Sequence, residues 1–119
     1  MTARLNIVED RPGNITVLRM SGRLELDEGD VVFRDCIDRL VAEGRVFIVL
    51  DLQAVIRIDS AGIGMMVSKY LSLRRRGGTL KLLHLTPRCG ELLHTTRLNT
   101  VFDIFDDETA ALRSFDVAT

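Results

Sequence analysis

Five apolar residues follow one another without a break from Val46 to Leu50, in the stretch VFIVLDL, and three of them branch at Cβ. A strand that alternates apolar and polar residues keeps one face in water. A strand apolar at every position has no face to give to water, so it belongs in the middle of a sheet with a covering layer on each side. The chain has 119 residues, of which 46% are hydrophobic. That is enough for one core of this kind, whereas two domains would each be very small.

The flanking sequence supplies the remaining layers. LNIVE (5–9) and ITVLRM (15–20) read as strands. Between them DRPGN is a turn, since Pro12 fixes φ and Gly13 or Asn14 accepts a positive one. Ser21-Gly22 is expected to end the second strand. From about Asp27 to Ala42, apolar residues at Val32, Phe33, Cys36, Ile37, Leu40 and Val41 recur at helical spacing. Asp27 or Glu28 suits the positive end of that helix, and Gly44 its close. TLKLLHL is a further strand. In TPRCGELLHTTRL, Thr86 is placed to cap a helix and Pro87 to begin it. VFDIF is a short strand, and DDETAALRSF a last helix capped by Asp106 or Asp107. The order β-β-α-β-α-β-α-β-α predicts a single α/β domain over 1–119, with a mixed sheet of about five strands and four helices. QAVIRI (53–58) is expected as the one long loop, with part of it extended or tucked inward.

In open α/β folds the exposed chemistry gathers beyond the carboxyl ends of the strands. Here that junction reads DSAGIG, with Ser60 opening a helix that runs to about Arg76 along the stripe Ile63, Met66, Val67, Tyr70 and Leu71. Ser60 can cap this helix, or Asp59 can do so and leave Ser60 pointing outward. A nucleophilic role would need Gly at position 58 for the G-x-S-x-G elbow, and Ile58 stands there. His84, at the end of LKLLH, is the residue that keeps a serine hydrolase in play. The stretch lacks the lysine of a phosphate-binding loop, and G-x-G-x-x-G is absent, leaving only a weak anion site at the helix start. Cys36, Cys89, His84 and His94 have no metal-ligand spacing, so no metal or cofactor is expected and the thiols read as buried.

The alternative is that Ser60 is acted upon. A phosphate there adds ~1.5–2 negative charges beside Asp59, and a partner lying across the helix start would lose its contacts. Gly62 and Gly64 fit either a closely approaching partner or tight helix–sheet packing.

These residues carry a resemblance. IVLDLQAVIRIDSAGIGMMVSKYLSLRRRGGTLKLL resembles the central segment of the STAS domain family, and in particular bacterial anti-sigma factor antagonists. The family's Asp-Ser-[Ser/Ala]-Gly-[Leu/Ile]-Gly motif is present as Asp59-Ser60-Ala61-Gly62-Ile63-Gly64. Its Gly-x-Leu-Asp signature is matched by Gly22-Arg23-Leu24-Glu25, with Glu25 one methylene longer than the usual Asp. The resemblance implies a protein-binding switch rather than an enzyme. The unphosphorylated form binds an anti-sigma factor that is also a serine kinase, phosphorylation of Ser60 releases it, and a PP2C-type phosphatase resets it. Asp59 would shape the Ser60 environment, and Ala61 in place of a second serine leaves Ser60 the one acceptor in the motif. The same fold also serves as regulatory or scaffold modules of signalling and lipid-transport assemblies that carry no phosphate, and that reading stands as the rival.

The residues expected to meet a partner are Glu25, Asp27, Asp59, Ser60, Ala61, Gly62, Ile63, Gly64 and Met65. Glu25, Asp27, Glu28 and Asp30 form an acidic rim, which is either a solvated helix start or a surface that steers a basic partner. Net charge is −1 and Arg74–Arg76 splay around a helix end, so no nucleic-acid contact is expected. Apolar runs of about five residues do not span a membrane, and MTARLNIVEDRPG carries charge where a signal peptide is apolar. The expectation is therefore a cytoplasmic monomer.

Overall fold

The computed structural model describes residues 4–26 and 28–115. Its sheet has the order β1-β2-β3-β4-β5, formed by β1 (Asn6–Asp10), β2 (Ile15–Leu24), β3 (Phe47–Ile58), β4 (Thr79–Leu83) and β5 (Ile104–Phe105). Of the apolar run at 46–50, residues 47–50 open β3, the middle strand. β1 pairs antiparallel with β2, and every other pair is parallel.

Both faces of β3 are covered, as its composition demands. Ile48, Leu50 and Leu52 point into a core shared with α1 (Gly29–Ala42), α2 (Ser60–Arg75) and α3 (Pro87–Thr95). Val49 points the other way, to Ile15, Val17, Leu83 and Ala111 of α4 (Glu108–Arg113). Three helices thus pack one face, and a single short helix covers part of the other.

The supposed loop 53–58 is strand. β3 runs on for twelve residues and pairs with β2 as far as Leu24↔Ile58. Two register shifts give β3 two more residues than β2 over this length, because Arg19 to Leu24 lies alongside Asp51 to Ile58. Each extra residue rotates the strand. Leu52, Val55 and Ile58 consequently all face the core at a spacing of three, while Gln53, Ala54, Ile56 and Arg57 are exposed. Ser21-Gly22 does not end β2 either. Gly22 takes φ +95° inside the strand, and the Arg4 carbonyl lies against it where a side chain would sit.

The helices differ from expectation mainly at their ends. α1 begins at Gly29, and Asp27 lies outside the described residues. Phe33, Ile37 and Leu40 form its buried stripe, while Val32 is exposed. α2 buries Gly62, Ile63, Met66 and Leu73, and Leu71 is turned out to solvent. Thr86 caps α3 by accepting from the Cys89 amide at 3.2 Å. Of VFDIF, only Ile104–Phe105 pairs with β4; Phe102 turns inward after a 3-10 turn at Leu98–Thr100 and meets Tyr70 edge-on at 5.2 Å. α4 is capped by Asp107, which accepts from the Ala110 amide at 2.9 Å. Cys36 and Cys89 are both free thiols. No described helix is long and apolar enough to cross a membrane.

Candidate functional site

The carboxyl ends of β2 and β3 finish side by side, and the site is built where they do. Leu24 pairs with Ile58, and Asp59 leaves the strand to cap α2. Its side chain is bound twice. One oxygen accepts from the Gly62 amide at 2.9 Å, and the other from the Leu26 amide at 3.1 Å. The same carboxylate therefore satisfies the first turn of α2 and holds the segment that follows β2 against it. The Asp59 amide donates to the Leu24 carbonyl at 3.4 Å and the Asp59 carbonyl accepts from the Ile63 amide at 3.0 Å.

Capping thus falls to Asp59, and Ser60 is left free of it. Ser60 is the first residue of α2 and is exposed. Among the described residues its hydroxyl takes part in no hydrogen bond. The structure divides the rest of the motif between inside and outside. Gly62 and Ile63 are buried, Ala61 is partly covered, and Gly64 is exposed. Gly62 is glycine for packing, since a methyl there would enter the contact shell of the Leu24 carbonyl and come within 3.0 Å of Leu24 Cγ. Gly64 has open space where a methyl would go. Met65 is half-buried and packs against the core.

The acidic rim is charge-paired rather than bare. Glu25 meets Arg57 at 3.2 Å and Arg23 at 3.9 Å, and Glu28 meets Arg4 at 3.0 Å. Asp30 turns its carboxylate to the Val31 amide at 2.9 Å. Asp27, expected to belong to this rim, is outside the described residues. Two exposed apolar side chains that the motif did not point to stand beside the site. Leu26, 61% exposed, follows Glu25 and lies next to the α2 start, and Ile56, 57% exposed, is on the final turn of β3. For Ile56 the signal in the sequence was an apolar residue at a position the bulged strand turns outward, which a two-residue period cannot reveal. On the other side of Ile58, a groove of about 480 Å³ is lined by Pro87, Arg88, Glu91, Leu92 and Thr95 of α3.

His84 is elsewhere. Its Nδ1 lies 3.2 Å from Asp51 Oδ1, where β4 stops pairing with β3. Seven further residues of strand, on the order of 20 Å, separate that position from the start of α2. A Ser60–His84 pair is therefore not formed. His84 instead joins a cluster in which Arg19 binds Asp10, Asp51 and Glu108 at 2.6–3.1 Å. Arg19 holds the Glu108 carboxyl below the ordinary glutamate range. Burial raises the Cys36 thiol and pushes that of Cys89 up to about 11. Among the described residues, no group of three or more His, Cys, Asp or Glu side chains is placed to hold a metal ion.

Comparison with known proteins places this geometry among relatives. The family model for the STAS domain matches residues 6–111. An anti-sigma F factor antagonist from Paenibacillus polymyxa is 25% identical over 115 residues, covering 97% of this chain and 98% of its own. An anti-sigma factor antagonist from Mycobacterium paratuberculosis superposes with a TM-score of 0.80 at 22% identity, over 96% of this chain and 97% of that one. The anti-sigma factor antagonist SpoIIAA in its unphosphorylated form gives 0.80 at 18% identity, over 93% and 96%. SpoIIAA of Bacillus in its phosphorylated form gives 0.71 at 18% identity, over 93% and 98%.

Proposed function

The chain belongs to the STAS domain family, and from that premise we propose that it is an anti-sigma factor antagonist switched by phosphate on Ser60. The carrying observation is the division of labour at the start of α2. Asp59 makes the structural bonds, so the Ser60 hydroxyl stands exposed and uncommitted. A relative of the same fold that exists in unphosphorylated and phosphorylated forms supports the reading.

In this scheme the unphosphorylated face binds an anti-sigma factor with serine kinase activity. That face presents Ser60, Ala61 and Gly64 with exposed Leu26 and Ile56, within a rim where Glu25 and Glu28 are paired to arginines. The kinase transfers the γ-phosphoryl group of ATP to Ser60 Oγ; the hydroxyl proton is lost and ADP leaves. The product carries ~1.5–2 more negative charges at a site that was close to balanced. Apolar contacts to a now dianionic surface are lost, and charge that complemented the partner before is in excess, so the complex separates. The fold itself persists, since the bonds of Asp59 do not involve Ser60. A PP2C-type phosphatase returns the protein to its binding form. The chain acts as a binding switch and not as an enzyme.

The test is to incubate the protein with its cognate anti-sigma factor kinase and ATP and to identify the modified residue by mass spectrometry. Phosphate on Ser60, loss of the complex upon labelling, and a persistent complex with Ser60→Ala are expected. Label at another residue, or full labelling of Ser60→Ala, would refute the assignment.

A further inference from the structure

Phosphate on Ser60 would arrive next to a carboxylate that cannot move away. Both oxygens of Asp59 are held, one by the Gly62 amide and one by the Leu26 amide. The favourable end of the α2 dipole is therefore already occupied by a negative charge. A dianion one residue along needs compensation from a mobile cation, and the end of the β2–β3 pair supplies one. Arg23 pairs with Arg57 and Leu24 with Ile58, and the two segments stay joined past that point, the Asp59 amide donating to the Leu24 carbonyl and the Leu26 amide to the Asp59 carboxylate. The Arg57 guanidinium, 3.2 Å from Glu25 through Nε, thus belongs to the strand that leads into α2, three residues before the acceptor serine.

Glu25 is not dependent on Arg57 alone. Arg23 Nη1 lies a loose 3.9 Å from its other oxygen, and Arg23 Nε is buried without a hydrogen-bond partner. Two guanidinium forks, with five N–H donors each, converge on one carboxylate that has two oxygens. The arrangement has donors to spare, and among the described residues one of them, Arg23 Nε, is unsatisfied in the resting state.

Resting on the Ser60 reading above, we propose that Arg57 is the phosphate receiver: on modification of Ser60 it leaves Glu25 for the phosphate, and Arg23 closes onto Glu25 in its place. A phosphate dianion has three acceptor oxygens and about twice the charge of a carboxylate, so it wins a bidentate guanidinium from Glu25. Arg23 keeps Glu25 paired and gains a partner for its buried Nε. The exchange ties the arginines of the docking face to its own anions, while the phosphate leaves that face more negative than before.

The experiment installs phosphoserine at position 60 during translation, so no kinase is required. Titration by ³¹P NMR follows the second ionisation of the phosphate. A nearby cation favours the dianion and the fixed Asp59 carboxylate opposes it, so the contribution of Arg57 is read from the difference between variants. Arg57→Gln should raise the midpoint by about half a pH unit, a modest shift because the site is solvent-exposed. Arg57→Lys should fall between the two, and Glu25→Gln, which removes the competing carboxylate, should lower the midpoint. Arg88→Gln, which removes the cation across the neighbouring groove, should leave it unchanged. A midpoint indifferent to Arg57→Gln in a variant whose circular dichroism is native overturns the proposal, as does a rise on Arg88→Gln instead. Failure of a kinase to label Ser60 would count against the switch and leave this titration as it stands.

Discussion

Gly62 and Gly64 stand two residues apart in the same motif, and the structure assigns them opposite reasons for being glycine. The substitution of each by alanine separates those reasons. At position 62 the added methyl meets the Leu24 carbonyl inside contact distance, Leu24 Cγ at 3.0 Å and Ile58 Cγ1 at 3.1 Å. The carbonyl belongs to the end of β2 and the two side chains are core residues, so none yields without moving backbone. Overpacking against such rigid neighbours costs about 3 kcal/mol, from which the helical preference of alanine over glycine recovers up to about 1. The net loss is roughly 2 kcal/mol. With a urea dependence of about 1.5 kcal/mol/M for a domain this size, the unfolding midpoint should fall by roughly 1–1.5 M. At position 64 there is nothing within 4 Å, so only the propensity gain remains and the midpoint should rise by roughly 0.5 M. Urea unfolding followed by circular dichroism reads both. Midpoints within about 0.3 M of each other would refute the packing assignment. If Gly64→Ala is stabilised yet binds the anti-sigma factor more weakly, glycine at 64 serves the approach of the partner.

Asp59→Ala removes the cap of α2 and leaves the Leu26 amide without its acceptor, so a destabilisation of about 2–3 kcal/mol is expected in the same urea assay, with Asp59→Asn losing less. Glu108 titrates lower in the folded chain than its ordinary 4.5 because Arg19 binds it. Its contribution is therefore present above pH 4.5 and lost as pH falls through the lower folded value; Glu108→Gln should flatten the acid side of a stability-versus-pH curve below pH 4.5. With burial pushing the Cys89 thiol to about 11 and raising Cys36, both should react slowly with a disulfide reagent at pH 8 in the native state and promptly in denaturant.

How far the sequence shows this molecule depends on the kind of signal involved. The continuous apolar run at 46–50 located the central strand because burial on both faces leaves one composition possible. Caps at Thr86 and Asp107 were legible because a short polar side chain before an apolar helix has few other uses. The segment 53–58 was not legible as strand, because its bulges turn Leu52, Val55 and Ile58 inward at a period of three. That spacing matches neither alternation nor a helix, and only pairing with Ser21–Leu24 explains it. One member of the α2 stripe, Leu71, was misplaced for a related reason. Ile63, Met66, Val67 and Tyr70 do face the core, but apolar spacing allows the stripe to continue to Leu71 or to Leu73, and packing selects Leu73. At the site, the choice between Ser60 and Asp59 as cap lay beyond the sequence, since it turns on where the Leu26 amide is brought by a neighbouring strand.

That last choice decides what kind of switch the site can be. Had Ser60 been the cap, phosphate would have replaced a bond that holds α2 to its first turn, and modification would have acted on stability. With Asp59 as the cap, the serine contributes little to the fold, and its modification acts on the surface alone. The bulges in β3 contribute to the same result. By adding two residues to β3 relative to β2, they let a strand buried on both faces at Ile48–Leu50 end in a segment with Ile56 and Arg57 outward. Ile56 and Arg57 are then carried on the strand end that leads directly into Ser60 and α2. On the function proposed above, a charge added at Ser60 would change the docking face without any movement of the core behind it.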